Sequence, residues 1–277
     1  MHNAPNGNDN GLPNKLPIPK LLIGIIRCLV SLVMIVVVLS LSGILKLIEE
    51  LPINQNAYGK SLYSVKNYDE ALRDFKSAVF WEHIVFWNDN TQLAYYYQNC
   101  GLASQQLAEY ENSADYFEKS IAQFYKNNDE INEEIAHAHY MLGLAYSILR
   151  NNQSEFDNFF TCVQYHESLP SEKHGMAAGR SFIWLAHCYQ KQYEYALATE
   201  YYKRGLELYK ESVNWGLNDS GAAIFLLMAY KNAALACELS EDYIGADMFN
   251  REYEYFSMLR DAEMEDLEEF ERLFGWD

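Results

Sequence analysis

The sequence predicts an all-α protein in which a single N-terminal transmembrane helix precedes a stack of helical hairpins. An uncharged, mostly apolar run lies near the N-terminus, and a pattern of small and aromatic residues recurs about every 42 positions after it. The 277 residues are 49% hydrophobic and 15% aromatic, with 22 Tyr against 6 Pro. This composition favours packed helices over turn-rich β structure.

The first two segments are a polar tail and a membrane span. Residues 1–20 are rich in Asn, Gly and Pro and poor in large apolar side chains, so we expect a disordered tail. Residues 21–45 are apolar apart from Arg27 and a few serines and glycines, and about 20 such residues span a bilayer as a helix. Arg27 is close enough to one end for its stem to reach the headgroups. We therefore predict a transmembrane helix over 21–45.

The orientation of this span follows from the basic residues around it. Lys15, Lys20 and Arg27 precede or open the span, and Lys46 and Lys60 follow it. The excess on the N-terminal side predicts a cytoplasmic N-terminus and a C-terminal part outside the cytoplasm, in a plasma or inner membrane. The opposite orientation is the alternative.

A cleavable signal peptide is the competing interpretation of the apolar run. Ser40-Leu41-Ser42 loosely matches a small-x-small cleavage pattern. The run is longer than the roughly 7 to 15 apolar residues of an ordinary signal peptide, which favours an anchor that is retained.

A repeat begins after a linker at 46–51 and covers residues 52–260. The small residues that open its five units are Gly59, Gly101, Gly143, Ala186 and Ala234. Their spacings are 42, 42, 43 and 48 residues. In most units a second small residue follows at +12 and an aromatic at +16, and positions four apart share one helix face. Each unit is predicted to be a hairpin of two helices.

These residues resemble the tetratricopeptide repeat (TPR) in a long-period form. The best-matching units are Gly59, Tyr68, Ala71, Phe75 and Ala78, and Ala186, Tyr195, Ala198, Tyr202 and Gly205. The period exceeds the usual 34 by about eight. Gln55 and His139 replace the early aromatic, Glu155 replaces a small residue, and Asn250 and Tyr253 depart from the pattern in the fifth unit. The resemblance implies a right-handed solenoid whose concave groove binds peptides or partner helices.

The C-terminal residues 261–277 are predicted to form an acidic capping helix. Apolar residues recur at helical spacing, and seven acidic residues between 261 and 271 fill the opposite face. A solenoid needs a terminal element with one polar face, so we interpret the charge as a solvated surface. A docking site for a basic partner is the alternative.

The resemblance also implies which residues line the groove, since the first helix of each hairpin faces it. They are Asn56, Lys60, Tyr63, Tyr95, Gln98, Leu102, Gln105, Gln106, His137, Tyr140, Leu144, Ser147, Arg180, Ile183, His187, Gln190, Lys191, Lys231, Leu235 and Glu238. Four cations in this set face one acid, a net charge of +3 in a chain of −18. We expect a partner segment with acidic groups or a free carboxylate, unless the basic face arises by chance.

A second candidate surface is the apolar run Ala78–Trp87, which is nearest the membrane. Trp81, Phe86 and Trp87 are its large aromatics, suited to the headgroup level or to a membrane partner. Burial against the second hairpin is the competing interpretation.

The remaining observations disfavour other function classes. With 21 basic and 39 acidic residues, the chain does not suit nucleic-acid binding. No catalytic or nucleotide-binding motif occurs, so we expect no enzyme, no cofactor and no small-molecule substrate. His137 and His139 point about 200° apart on a helix and cannot share a metal ion, so no metal site is expected. The chain is predicted to be a membrane-anchored scaffold, adaptor or chaperone-like protein; a cytoplasm-facing adaptor and a degenerate enzyme are the alternatives.

Overall fold

The computed structural model describes residues 20–84, 90–126, 133–169, 175–210 and 220–274, with side chains from 28 to 258 except at 39 and 220. All regular structure in these residues is α-helical, which confirms the predicted class. The helices are α1 (Lys20–Ser64), α2 (Tyr68–Ile84), α3 (Asn90–Gln106), α4 (Tyr110–Lys126), α5 (Glu133–Ile148), α6 (Asn152–Ser168), α7 (Met176–Lys191), α8 (Tyr195–Lys210), α9 (Ser220–Leu239) and α10 (Tyr243–Phe274). The chain divides into two units, Met1–Leu51 and Pro52–Asp277.

Five hairpins make up the second unit. We call the first helix of each hairpin its A helix (the part of α1 from Pro52 onward, then α3, α5, α7 and α9) and the second its B helix. From α2 onward, consecutive helices pack against each other along the whole array. This arrangement, in which each hairpin contacts its sequence neighbours, is that of a solenoid.

Residues 46–51, which we expected as a linker, are helical and lie inside α1. No glycine or proline interrupts the sequence between Gly43 and Pro52, so nothing there ends a helix. Lys46 and Glu50 also form an i,i+4 ion pair at 3.9 Å on its surface.

The turn inside every hairpin has the same geometry. Its central residue adopts the left-handed conformation, with φ between 57° and 66°, at Lys66, Ala108, Arg150, Tyr193 and Glu241. These positions are separated by 42, 42, 43 and 48 residues. In the second hairpin the N–H of Ala108 donates to the Gln105 carbonyl (3.1 Å) and that of Glu109 to the Ser104 carbonyl (2.9 Å). This is the Schellman pattern, which satisfies the last carbonyls of the A helix.

The two helices of a hairpin approach most closely at the small residue of the A helix. A Cβ added to Gly59 would lie 2.7 Å from the ring of Phe75, and one added to Gly143 would lie 2.9 Å from the ring of Phe159. In the second hairpin, Gly101 and Phe117 make the same contact. The aromatic residue 16 positions downstream therefore lies directly on the bare backbone.

The fifth hairpin keeps this architecture with different residues. The ring centroid of Tyr230 in α9 lies 6.3 Å from that of Phe249 and 5.5 Å from that of Phe256, both in α10. These two phenylalanines pack against α9 in place of the aromatic residue that Asn250 replaces. The backbone of residues 261–274 continues α10 and does not begin a new helix, so the predicted capping segment is the end of the last B helix.

A buried ion pair joins the third and fourth hairpins. The side chain of Glu155 in α6 is fully buried, and its Oε2 accepts a hydrogen bond from Nζ of Lys191 in α7 at 2.5 Å. Glu155 stands where the other hairpins have Ala71, Ser113 and Ala198. The departure from the repeat pattern is therefore accommodated by a cation from the next hairpin.

We predict that Ala108→Gly stabilises the protein by about 0.5 to 1 kcal/mol. Glycine removes the steric cost that an alanine bears at φ 59°, and this gain exceeds the entropy that glycine adds to the unfolded chain. Urea unfolding of the detergent-solubilised chain measures the change. Ala122→Gly, at an exposed position inside α4, is the control and should destabilise by about 0.5 to 1 kcal/mol. A loss of stability with both variants would contradict the turn assignment.

We predict that Lys191→Met destabilises the protein by about 3 kcal/mol, because it leaves the Glu155 carboxylate buried without a counter-charge. Adding Glu155→Ala should recover most of this loss, since alanine is the residue that other hairpins use at this position. A double-mutant cycle followed by thermal unfolding measures the coupling. Equal losses for the single and double variants would show that the pair contributes little.

Candidate functional site

Two clefts lie between successive A helices in the third, fourth and fifth hairpins. The first has a volume of about 330 Å³ and is lined by Glu133, His137, Tyr140, Met141, His166, Ala177, Arg180 and Ser181. The second has a volume of about 130 Å³ and is lined by Ile183, Trp184, His187, Tyr202, Phe225, Met228, Ala229 and Asn232. Most of these residues belong to α5, α7 and α9, so both clefts are on the A-helix side of the solenoid. We call them cleft 1 and cleft 2.

Arg180 is the cationic group of cleft 1. Its Nη2 and Nε donate to the Tyr209 hydroxyl at 3.2 and 3.4 Å, and its guanidinium carbon lies 5.5 Å from the Tyr209 ring centroid. The ring of Phe225 is 6.0 Å away. These contacts hold the guanidinium in one place, and a positioned guanidinium pairs well with a carboxylate.

Two other polar groups of cleft 1, His137 and Tyr140, have pKa values that the surrounding protein shifts. Burial lowers the pKa of His137 below its ordinary value, although the Glu134 carboxylate raises it in part. Burial also raises the pKa of Tyr140 to about 12, against the opposing effect of Arg180. Both shifts favour the neutral imidazole and the neutral phenol at neutral pH, and Arg180 and Glu133 also line the cleft.

Cleft 2 is built around Trp184. The indole stacks on Phe159 with a centroid distance of 5.5 Å and an interplanar angle of 8°, and the His187 ring meets it edge-on at 5.9 Å. Burial lowers the pKa of His187, and Lys191 lowers it further. Met228 lies at the opposite wall and is 60% exposed. This cleft offers an aromatic and thioether surface with a neutral imidazole.

The two clefts use the same repeat position. His137, Arg180 and Met228 are separated by 43 and 48 residues, which are the spacings of the hairpins themselves. The groove residues predicted for the third and fourth hairpins include this position, but those predicted for the fifth omit Met228. Extending the repeat alignment by one unit would have found it. Trp184 was also missed, because it lies one position beyond the offset used for the groove.

The structure places several predicted groove residues in the packing between or within hairpins. Gln98 is buried and donates to the Glu134 carbonyl at 3.2 Å. Asn56 accepts from Asn99 at 2.7 Å, and Gln190 accepts from the Tyr202 hydroxyl at 2.9 Å. Their amides are therefore engaged inside the solenoid.

Four further predicted groove residues pack through apolar contacts. Tyr63 meets Tyr68 of the first turn edge-on at 5.1 Å, and Tyr95 meets Phe124 at 5.5 Å. Leu102 is half-buried against the core shared by the second and third hairpins, and Leu144 against the core shared by the third and fourth. Lys60 and Lys231 are exposed, and Gln105 is half-buried.

The charge of the predicted groove is smaller than the sequence suggests. Lys191 is engaged by the buried Glu155, and Glu133 lines cleft 1 beside Arg180. When Lys191 is set aside and Glu133 is counted, Lys60, Arg180 and Lys231 stand against Glu133 and Glu238, which gives these positions a net charge of +1. The A-helix side is therefore nearly neutral, and apolar and aromatic groups dominate the two clefts.

The second candidate surface is described only in part. Trp81 is half-buried and meets Phe80 edge-on at 5.4 Å, and Phe80 is exposed. Glu82, the next residue of α2, is buried. Phe86 and Trp87 lie outside the described residues.

The reactive side chains of the solenoid are sequestered in its core. Four cysteines are buried and form no disulfide: Cys100, Cys162, Cys188 and Cys237. Burial raises the pKa of Cys100 and of Cys162 to about 12. Among the described residues, no group of three or more His, Cys, Asp or Glu side chains is placed to hold a metal ion. What the two clefts can do is bind apolar or aromatic side chains next to one fixed cation.

Comparisons with known proteins agree on the fold. No protein-family profile matches the chain, and no curated protein matches it. Among solved structures it is similar to BtubC from P. vanneervenii (TM-score 0.63, 13% identity, 78% of this chain and 86% of that one). It is also similar to YrrB, described as a TPR protein with an unusual peptide-binding site (TM-score 0.52, 17% identity, 78% and 93%). MamA from Desulfovibrio magneticus RS-1 is a third (TM-score 0.56, 12% identity, 76% and 98%). The five hairpins therefore have a TPR-like fold.

Proposed function

We propose that this protein is a membrane-tethered adaptor that binds a segment of a partner protein along α5, α7 and α9 and catalyses no reaction. The observation that carries the proposal is the recurrence of a cleft at two successive A helices, with His137, Arg180 and Met228 at equivalent positions. A segment laid across these helices would meet the same kind of site at each hairpin. The likeness to YrrB, named for its peptide-binding site, supports this class of partner.

The chemistry of the clefts suits a mostly apolar segment with one acidic group. Trp, Tyr and Arg are the residues that most often carry binding energy at protein interfaces, and Trp184, Tyr140 and Arg180 supply all three. The near-neutral charge of the A-helix side does not favour a highly acidic partner. We therefore expect apolar side chains to fill the clefts and one carboxylate to meet Arg180.

The tether is the apolar part of α1. Residues 28–45 contain no charged side chain. Large apolar side chains are exposed at Leu29, Val30, Leu32, Val33, Met34, Ile35, Val36, Val37, Val38, Leu41, Ile44, Leu45 and Leu47. Each would gain roughly 1.5 to 3 kcal/mol from transfer out of water, which a bilayer provides. The other long apolar helix, Gly221–Leu239, is more than half buried in the last hairpin, as a core helix is.

Orientation follows from the basic residues that flank the span, with the N-terminus in the cytoplasm and the solenoid outside it. Protease treatment of intact cells or spheroplasts tests this topology. Cleavage of a C-terminal tag in intact cells is the expected result. Cleavage only after the membrane is opened would place the solenoid in the cytoplasm and favour the alternative adaptor.

We predict that a photo-crosslinking phenylalanine analogue at position 137 forms a covalent adduct with the partner, and that Met228→Glu reduces the yield at least tenfold. A carboxylate in cleft 2 must be desolvated when the segment binds, whereas Met228 is too exposed for its replacement to unfold the chain. Mass spectrometry of adducts formed in native membranes identifies the partner and its crosslinked residue.

The control is Leu197→Glu, which introduces the same charge at an exposed apolar position of α8 outside both clefts. It should leave the adduct unchanged. A similar loss with both variants, or adducts that survive Met228→Glu, would exclude binding across the two clefts.

A further inference from the structure

The outer face of α10 differs from that of the other B helices. Ile244, Met248, Tyr255 and Met258 lie on one side of α10 and are 86, 44, 57 and 66% exposed. We call these four residues the outer stripe. The spacings are four, seven and three residues, and Arg251 occupies the position between Met248 and Tyr255, so the whole series follows a 4-3-4-3 pattern. This is the spacing of the seam of a coiled coil.

The equivalent positions in the other hairpins are mostly polar. Counted from the left-handed turn residue, they are Asp69, Arg73, Phe80 and His83; Glu111, Asp115, Ala122 and Tyr125; Gln153, Asp157, Gln164 and Glu167; and Ala196, Glu200, Glu207 and Lys210. Large apolar residues at all four positions occur in the fifth hairpin alone among those described. The repeat architecture therefore does not require the outer stripe.

Packing inside the fifth hairpin does not explain the stripe either. Phe249 and Phe256 supply the contacts of α10 with α9. Thr199 of α8 contacts Cys237 of the next hairpin at 3.6 Å, whereas the equivalent residue of α10 is the exposed and charged Asp247. This position of α10 is therefore polar, and the outer stripe is a separate apolar face of the same helix. Exposed apolar patches of this kind mark interaction sites.

The charge around the stripe defines its partner. Asp247, Glu252 and Glu254 flank it, and Arg251 is paired with Asp247 at 2.7 Å. The whole of α10 has ten acidic and three basic residues, a net charge of −7. If a second copy of the chain docked here, two α10 helices that each carry a net charge of −7 would face each other and repel. An anionic bilayer surface would repel α10 as well. A basic partner would be attracted to α10.

We propose that the outer stripe of α10 docks a basic amphipathic helix of a partner protein. An apolar seam at coiled-coil spacing fits the apolar face of a helix, and the flanking carboxylates pair with lysines or arginines on either side of that face. The site is on a different helix face from the two clefts, so it does not depend on the groove function.

A labelled 18-residue peptide tests the proposal, with leucines on one helix face and lysines on the other. Fluorescence anisotropy measures its binding to the full chain in detergent, against a peptide of the same composition whose leucines are distributed all round the helix. We expect saturable binding of the first peptide only. Met248→Glu with Tyr255→Glu should weaken it at least tenfold. Because this change adds two negative charges, a purely electrostatic attraction to the lysines would become stronger instead.

The matched control is Phe80→Glu, which changes the residue equivalent to Tyr255 in the first hairpin. It should bind the peptide as the wild type does, and unchanged thermal midpoints would show that all variants are folded. Equal binding of both peptides, or no loss with the double variant, would overturn the proposal. A dimer in sedimentation velocity that the double variant dissociates would assign the stripe to a second copy and would also overturn it.

Discussion

The close approach of two helices at one small residue is the contact on which this structure depends. At Gly59, Gly101 and Gly143 the ring of a phenylalanine from the B helix lies on a backbone that has no side chain. The contact sets the distance between the helices and leaves space for the next hairpin on the other side. A serine hydroxyl or a cysteine thiol then completes the interface. Ser113, for example, donates to the Gly101 carbonyl at 3.0 Å. The first three hairpins repeat this geometry, and in the fourth the backbones approach closely at Gly179 and Gly205 instead.

Burial decides the chemistry that the solenoid can present. The carboxylate of Glu155 is inside the array and requires Lys191 as its partner, so a cation that would otherwise face the groove serves the core. Burial also lowers the pKa of His137 and of His187, which keeps both imidazoles neutral in the clefts. The two clefts are therefore lined mostly by apolar and aromatic groups, with Arg180 as the cation that lines cleft 1.

The proposed functions use three surfaces of the protein. The apolar part of α1 suits a bilayer, the A helices of the third to fifth hairpins suit an extended or helical segment, and the side of α10 suits a basic helix. Each surface belongs to a different helix face, because the hairpin packing uses the remaining faces. An adaptor of the proposed kind would bind its two partners on separate helix faces.

The all-α class and the positions of the five hairpins followed from the sequence alone, because small and aromatic residues at fixed offsets report helix packing directly, whereas the membrane span stays a prediction. The turn residues Lys66 to Glu241 keep the same spacing as the small residues that precede them. The groove was predicted less well: His137, Tyr140, Arg180 and His187 line the clefts, whereas Gln98, Gln190 and Lys191 serve packing. A helix position shows which way a side chain leaves the backbone, but the partners of Gln98 and Lys191 come from another hairpin, 36 residues away. Only the tertiary structure brings Lys191 to Glu155, and so only the structure decides which polar groups are left for a ligand.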